Sequence, residues 1–184
     1  RHLFNVNFFG MLAVTRAVLP HMRTARRGRV VIISSVAGRI GSPSGSAYSA
    51  CRFAQEGFAE SLRQEMQPLG VMVSLVEPGI TKTETWQRGT ASGAGVNTDN
   101  PDSPYYQWFK RSQAIFYNAM ESSRITVEDV AGAVYRALSE PQPRWRYMVG
   151  PRARLVIAAR RFIPGELFER FYFGEVMRRV TRAG

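Results

Sequence analysis

Two short, β-branched and almost wholly apolar runs decide what this chain can fold into. They are "RVVIIS" at residues 29–34 and "VMVSLVEPG" at residues 71–79. A run without polar alternation belongs to a strand buried on both faces, the situation of a parallel sheet covered by helices. The neighbouring segments supply those helices. Residues 3–23 carry Phe4, Phe8, Met11, Val14, Val18 and Met22 at helical spacing, and Pro20 should kink this helix or mark its last turn. From Ala47 to about Leu69 a second helix presents Phe53, Phe58 and Leu62, with Gly70 as its C-cap.

Downstream, Thr126 opens a third helix with Asp129 three residues on, in capping-box style. "RYMVGP", residues 146–151, reads as a third strand, and residues 153–181 as two amphipathic helical pieces broken at Pro164-Gly165. Helix and strand in alternation are the order of a doubly wound parallel α/β sheet with right-handed crossover helices. Residues 80–125 resist assignment. They mix Gly, Asn, Asp, Ser and Pro with Trp86, Tyr105, Tyr106, Trp108, Phe109 and Phe116, and so long a loop in a compact domain is usually functional. Three strands alone would leave residues 30–34 with a bare apolar edge. The text also opens in mid-helix without a methionine. The 184 residues therefore read as the C-terminal portion of a single longer domain.

The formal charge is +11, and all but Lys82 and Lys110 of the 25 basic residues are arginine. These arginines are scattered among Phe, Leu and Ile rather than set in a stripe with stacking aromatics, which argues against a nucleic-acid partner. A genome that favours arginine codons accounts for them. The single cysteine, Cys51, excludes an internal disulfide and fits a reducing compartment. His2 and His21 are too few for a multi-histidine metal centre. The longest apolar runs fall short of the roughly 20 residues of a membrane span, and no secretory signal is present. The expected location is the cytoplasm, free or peripheral to a membrane.

Function in such folds collects at the carboxyl ends of the strands. The first strand ends at Ser34-Ser35 and the second at Pro78-Gly79. Tyr48 and Arg52, four residues apart on the helix that leaves the first loop, lie on one face. A serine hydroxyl, a phenol and a guanidinium could thus converge at one rim. A phenol is too weak an acid for proton transfer unless a neighbouring cation favours its ionised form. Taken singly, each residue has a plainer reading. Tyr48 and Arg52 could be a surface cation–π pair, Ser35 a strand-end serine and Asn7 a helix polar group. Thr83 alone is a turn residue, and Cys51 reads as packing. A hydrolase lacks support, because no histidine sits near a candidate nucleophile.

Together these residues resemble the short-chain dehydrogenase/reductase family, of the classical type that includes steroid and retinol dehydrogenases. The family's Tyr-x-x-x-Lys motif appears as Tyr48-Ser49-Ala50-Cys51-Arg52, and its serine, 13 positions before the tyrosine, selects Ser35. Its Asn-x-x-Gly pattern is found as Asn7-Phe8-Phe9-Gly10. Its Pro-Gly motif, with a threonine four residues after the glycine, matches Pro78, Gly79 and Thr83. The resemblance implies a Rossmann-like fold and hydride transfer between NADP or NAD and a hydrophobic alcohol, ketone or aldehyde. Tyr48 would be the general acid/base beside the nicotinamide, Ser35 would orient and polarise the substrate oxygen, and Arg52 would stand in the place of the lysine that activates the tyrosine and hydrogen-bonds the nicotinamide ribose. Asn7 would hold a water in the proton relay, and Pro78, Gly79, Thr81 and Thr83 would cradle the nicotinamide. Residues 80–125 are similar in placement to the substrate loop, and helices 3–23 and 47–69 to those that pair copies into a homodimer or tetramer.

The chain departs from the family's pattern twice. Arg52 keeps the lysine's charge, but it is a planar fork on a longer arm and releases no proton. The glycine-rich phosphate loop, which brings backbone to the pyrophosphate at a helix N-terminus, is absent. So are the residues that choose between NAD and NADP. The 184 residues alone are therefore expected to be inactive, and both departures favour the alternative of a non-catalytic binding or scaffold protein of the same fold. The C-terminal stretch 152–184, with "RRFIPGELFERFYFGEVMRR" inside it, has two readings. The favoured one is a helical cap over the core and substrate pocket. The other is a helix lying on an anionic membrane, Phe and Leu down and Arg at the rim.

Overall fold

Val30, Ile32, Val71, Val73 and Leu75 form the centre of a three-stranded parallel sheet. The computed structural model describes residues 1–83 and 100–182. Strand β1 is Gly28–Ile33, β2 is Val71–Pro78 and β3 is Arg146–Val149, in the spatial order β1-β2-β3. Val30 stands opposite Val73, and Leu75 opposite Arg146. Both faces of β2 are covered, which is why its sequence shows no alternation. Helices α1 (His2–Thr24) and α2 (Ser46–Met66) cover one face through Met11, Leu19, Met22, Phe58, Ala59 and Leu62. Tyr106–Glu121 forms α3, and α4 (Val127–Ser139) covers the other face through Ala133 and Ala137 against Val76, Tyr147 and Val149.

Several local signals act as read. Gly70 takes φ +75, where an added Cβ would stand 2.1 Å from the carbonyl oxygen of Arg26, so only glycine fits. The Thr126 amide donates to Asp129 Oδ2 at 2.9 Å, and the Asp129 amide to Thr126 Oγ1 at 3.2 Å, closing both halves of a capping box.

Three features differ from expectation. Helix α1 ends at Thr24, with Pro20 at the start of its last turn as anticipated, but it contains a π turn at Asn5–Gly10. With a mean hydropathy of 1.3 it is also long and apolar enough to cross a membrane by length and composition. Its inward side chains instead pack on the sheet, and Phe8 meets Phe58 edge-on at 6.3 Å. Helix α3 emerges from the segment that resisted assignment, because Pro, Ser and Asn around it mask its spacing. Residues 84–99 of that segment, Trp86 among them, lie outside the described residues.

Helices α5 (Pro151–Phe162) and α6 (Gly165–Arg182) break at Pro164 as anticipated. Their inner sides bring Ile157 and Phe168 onto Ile40, with Val36 and Met148 beside them. Among the described residues β1 is one of the two edge strands, β3 being the other. An open groove of about 340 Å³ beside β1 is lined by Met11, Val14, Val18, Met22, Val30 and Ile32.

Candidate active site

The amide of Ser34 donates to the Val76 carbonyl at 2.9 Å, extending the β1–β2 ladder by one residue. Ser35 remains extended, and its Oγ accepts from the Ala37 amide at 3.1 Å, capping the tight turn Val36–Gly38. That turn is pressed onto α2. A Cβ added to Gly38 would stand 2.8 Å from Glu56 Cγ and 2.9 Å from the Arg52 carbonyl oxygen. The serine loop is therefore seated on the helix that carries Tyr48 in its first turn.

Tyr48 and Arg52 meet as their spacing predicts, with the guanidinium carbon 4.9 Å from the centre of the Tyr48 ring. Arg52 is anchored. Its Nη1 donates to the carbonyl of Ile33, the last residue of β1, at 3.0 Å, and to Gln55 Oε1 at 2.8 Å. Gln55 in turn donates through Nε2 to the main-chain carbonyl of Asn7 at 2.7 Å. Asn7 sits inside the π turn of α1, and π turns are frequent at functional sites. Its side-chain amide is turned back to the Leu3 carbonyl at 3.0 Å. Asn7 therefore faces α2 with its backbone oxygen, and Tyr48, Arg52, Gln55 and Asn7 form one chain of contacts.

At the end of β2 the Gly79 amide donates to the Val149 carbonyl at 2.9 Å. A Cβ on Gly79 would meet Ile125 Cδ1 at 3.0 Å and Val149 O at 3.3 Å. Buried Thr81 closes the turn by donating to the Gly79 carbonyl at 3.1 Å, and Thr83 is half-buried just before the undescribed segment. The Pro78–Thr81 turn and the Ser35 loop leave adjacent, parallel strands, since Ile33 pairs with Val76. The carboxyl ends of adjacent parallel strands are where a doubly wound sheet takes a dinucleotide. Among the described residues there is no glycine-rich loop for the pyrophosphate end.

Sequence reasoning missed Gln55, although Tyr48, Arg52 and Gln55 at i, i+4 and i+7 lie on one helix face. It also missed a buried ion cluster. Glu77, near the end of β2, has no solvent exposure, and Arg146 of β3 pairs through Nη1 with both Glu77 and Glu56. Arg39, just after the serine loop, reaches Glu77 Oε1 at 3.2 Å. A fully buried carboxylate needs such partners. Burial pushes the Glu56 carboxyl up to about 7, against the pull of the Ser34 hydroxyl, and the charge of Glu77 adds to the rise. The available signal was a lone acid in an otherwise apolar strand. Cys51 is fully buried with its Sγ 4.0 Å from the Leu3 carbonyl, and burial raises its thiol.

Residues 1–92 match the family described as short chain dehydrogenase. The chain is 35% identical over 167 residues to 3-ketodihydrosphingosine reductase of Bacteroides thetaiotaomicron, covering 90% of this chain and 60% of that protein. It is 32% identical over 176 residues to retinol dehydrogenase 8 of Bos taurus, covering 92% of this chain and 55% of that one. The crystal structure of a short-chain dehydrogenase from Streptomyces avermitilis superposes with a TM-score of 0.70 at 27% identity, over 97% of this chain and 62% of that one. The chain spans 55–60% of the length of these curated relatives.

Proposed function

Because the chain belongs to the short chain dehydrogenase family, we propose that the full-length protein interconverts a hydrophobic alcohol and its ketone or aldehyde, using NAD or NADP. The observation that carries this reading is the anchored stack of Arg52 on Tyr48 beside the ends of β1 and β2. The nicotinamide, when bound, supplies or removes the hydride. Pro78, Gly79, Thr81 and Thr83 would hold that end of it. Tyr48 gives its hydroxyl proton to the carbonyl oxygen during reduction and takes one back during oxidation. Ser35 accepts from Ala37, which leaves its own hydroxyl proton to donate to the substrate oxygen. Arg52, fixed by Ile33 and Gln55, keeps a positive charge beside the phenol as the proton leaves. Asn7 contributes its backbone carbonyl through Gln55 rather than its side-chain amide.

The relatives named for retinol and for 3-ketodihydrosphingosine, together with the aromatic residues Tyr105 to Phe116, support a hydrophobic substrate. Outward side chains on α1 and α2, including Phe9, Val14 and Phe53, are exposed and suit the pairing of two copies. The test is the oxidation of NADH and NADPH by the full-length protein with a panel of apolar ketones and aldehydes. Turnover that drops roughly 1,000-fold in Tyr48→Phe, with cofactor affinity retained, supports the reading.

One observation favours the non-catalytic alternative: Arg52 Nη1 is committed to the protein's own carbonyl and amide oxygens, where the family's lysine addresses the nicotinamide ribose. Full-length protein that is inert as Arg52 and active as Arg52→Lys would locate the defect at this residue. Inertness in both forms, with cofactor bound, would favour a scaffold.

A further inference from the structure

The inner sides of α5 and α6 cap the core, and their outer sides are not covered by the described residues. On α5, Leu155 and Phe162 lie two turns apart on one stripe and are 71% and 80% exposed. They point away from Ala153 and Ile157, which are buried. On α6, Leu167 and Phe171 lie one turn apart and turned away from the buried Val180, with the buried Phe168 to one side, and Phe171 is 69% exposed. Isolated surface leucines need no explanation, but four large apolar groups on the outer faces of consecutive helices do.

The charges around them are one-sided. Residues 151–182 hold eight arginines against three glutamates, and α5 holds no acidic residue at all. Around the α5 stripe Arg152 lies on one flank and Arg154 and Arg161 on the other. Apolar side chains along the middle with arginines at both margins suit an interfacial helix, whose long cationic stems reach up to headgroups while the apolar groups enter the acyl boundary.

We propose that the outer faces of α5 and α6 dock the protein on an anionic lipid surface. The cap and the membrane reading of this stretch then apply to opposite faces of the same two helices. A twofold pairing of this patch with a second copy would set arginine against arginine. Nucleic acid would need the cations at the centre of the patch rather than at its edges. A negatively charged leaflet satisfies both the apolar centre and the basic rim. The docking does not rest on the hydride-transfer reading, and its test measures binding alone.

The experiment is co-sedimentation of the full-length protein with vesicles of phosphatidylglycerol and phosphatidylcholine, and with phosphatidylcholine alone. Pelleting with the anionic vesicles is expected, at least about tenfold weaker with phosphatidylcholine or in high salt. It should fall at least about tenfold in Leu155→Ser/Phe162→Ser/Phe171→Ser. A second variant, Arg152→Glu/Arg161→Glu, changes only exposed side chains and should lose binding to the anionic vesicles with an unchanged melting curve. It decides the matter if the triple variant fails to fold. No pelleting by the parent, or equal partition into both vesicle types, overturns the proposal. So does a parent that sediments as a dimer, binds no vesicles and becomes monomeric in the triple variant, which would assign the face to a second copy.

Discussion

Gln55 joins two helices at one point: its Nε2 donates to the main-chain carbonyl of Asn7 at 2.7 Å while its Oε1 accepts from Arg52 at 2.8 Å. The residue is buried, so neither partner has ready access to replacement water. Gln55→Leu should destabilise the protein by about 1–3 kcal/mol, since it strands a backbone acceptor and releases one anchor of the arginine. It should also lower kcat more than it raises KM. Urea unfolding and steady-state kinetics check both, and a variant within about 0.5 kcal/mol of wild type would show that the contact is incidental.

Ser35 is given two roles, and they separate by substitution. Ser35→Ala should lower kcat/KM roughly 100-fold and reduce stability by about 1 kcal/mol, because the Ala37 amide loses its cap. Ser35→Thr keeps an oxygen for the cap and should recover the stability. Equal stability of the alanine and threonine variants in thermal melts would contradict the capping account.

Gly38 and Gly41 make a matched pair. A Cβ at Gly38 would sit 2.9 Å from the Arg52 carbonyl oxygen, whereas one at Gly41 meets nothing within 4 Å. Gly38→Ala should therefore destabilise by about 1–3 kcal/mol by lifting the serine loop off α2. Gly41→Ala should stay within about 0.5 kcal/mol of wild type. Comparable losses in the two variants would mean that the turn is not wedged against the helix.

Glu56 sets a pH dependence. Its carboxyl is raised from 4.5 to about 7 in the folded state, chiefly by burial. The folded protein thus holds the proton more tightly than the unfolded chain. The associated stability is whole below about 4.5 and is lost as pH climbs through about 7. Tm should fall by roughly 5 °C across that window from this group, and Glu56→Gln should remove that share of the slope. Parallel Tm–pH curves for the two proteins would sink the assignment.

The strands and most of the helices were legible because their signals are local: unbroken β-branched runs, a left-handed glycine, a capping box. The spacing of Tyr48 and Arg52 gave their contact directly. What lay beyond reach was pairing at long range. Arg146 meets Glu56 across 90 residues of chain and Glu77 across 69, and nothing in the local sequence of "RYMVGP" announces those partners. Gln55 was hidden for a related reason, since its value lies in reaching Asn7 on another helix. The π turn escaped because nothing in "NVNFFG" separates a π turn from an α turn, and the apolar spacing of Phe4, Phe8 and Met11 runs straight through it.

Cys51, the one cysteine, lies fully buried under α1 with its sulfur against the Leu3 carbonyl. A thiol reagent can reach it only when α1 lifts from α2, so its labelling rate in the native protein is a clock for that opening. The Asn7–Gln55 contact spans the same two helices. The clock should run faster whenever that contact is cut and slower whenever something bound holds the helices together, with no cysteine engineered into the chain.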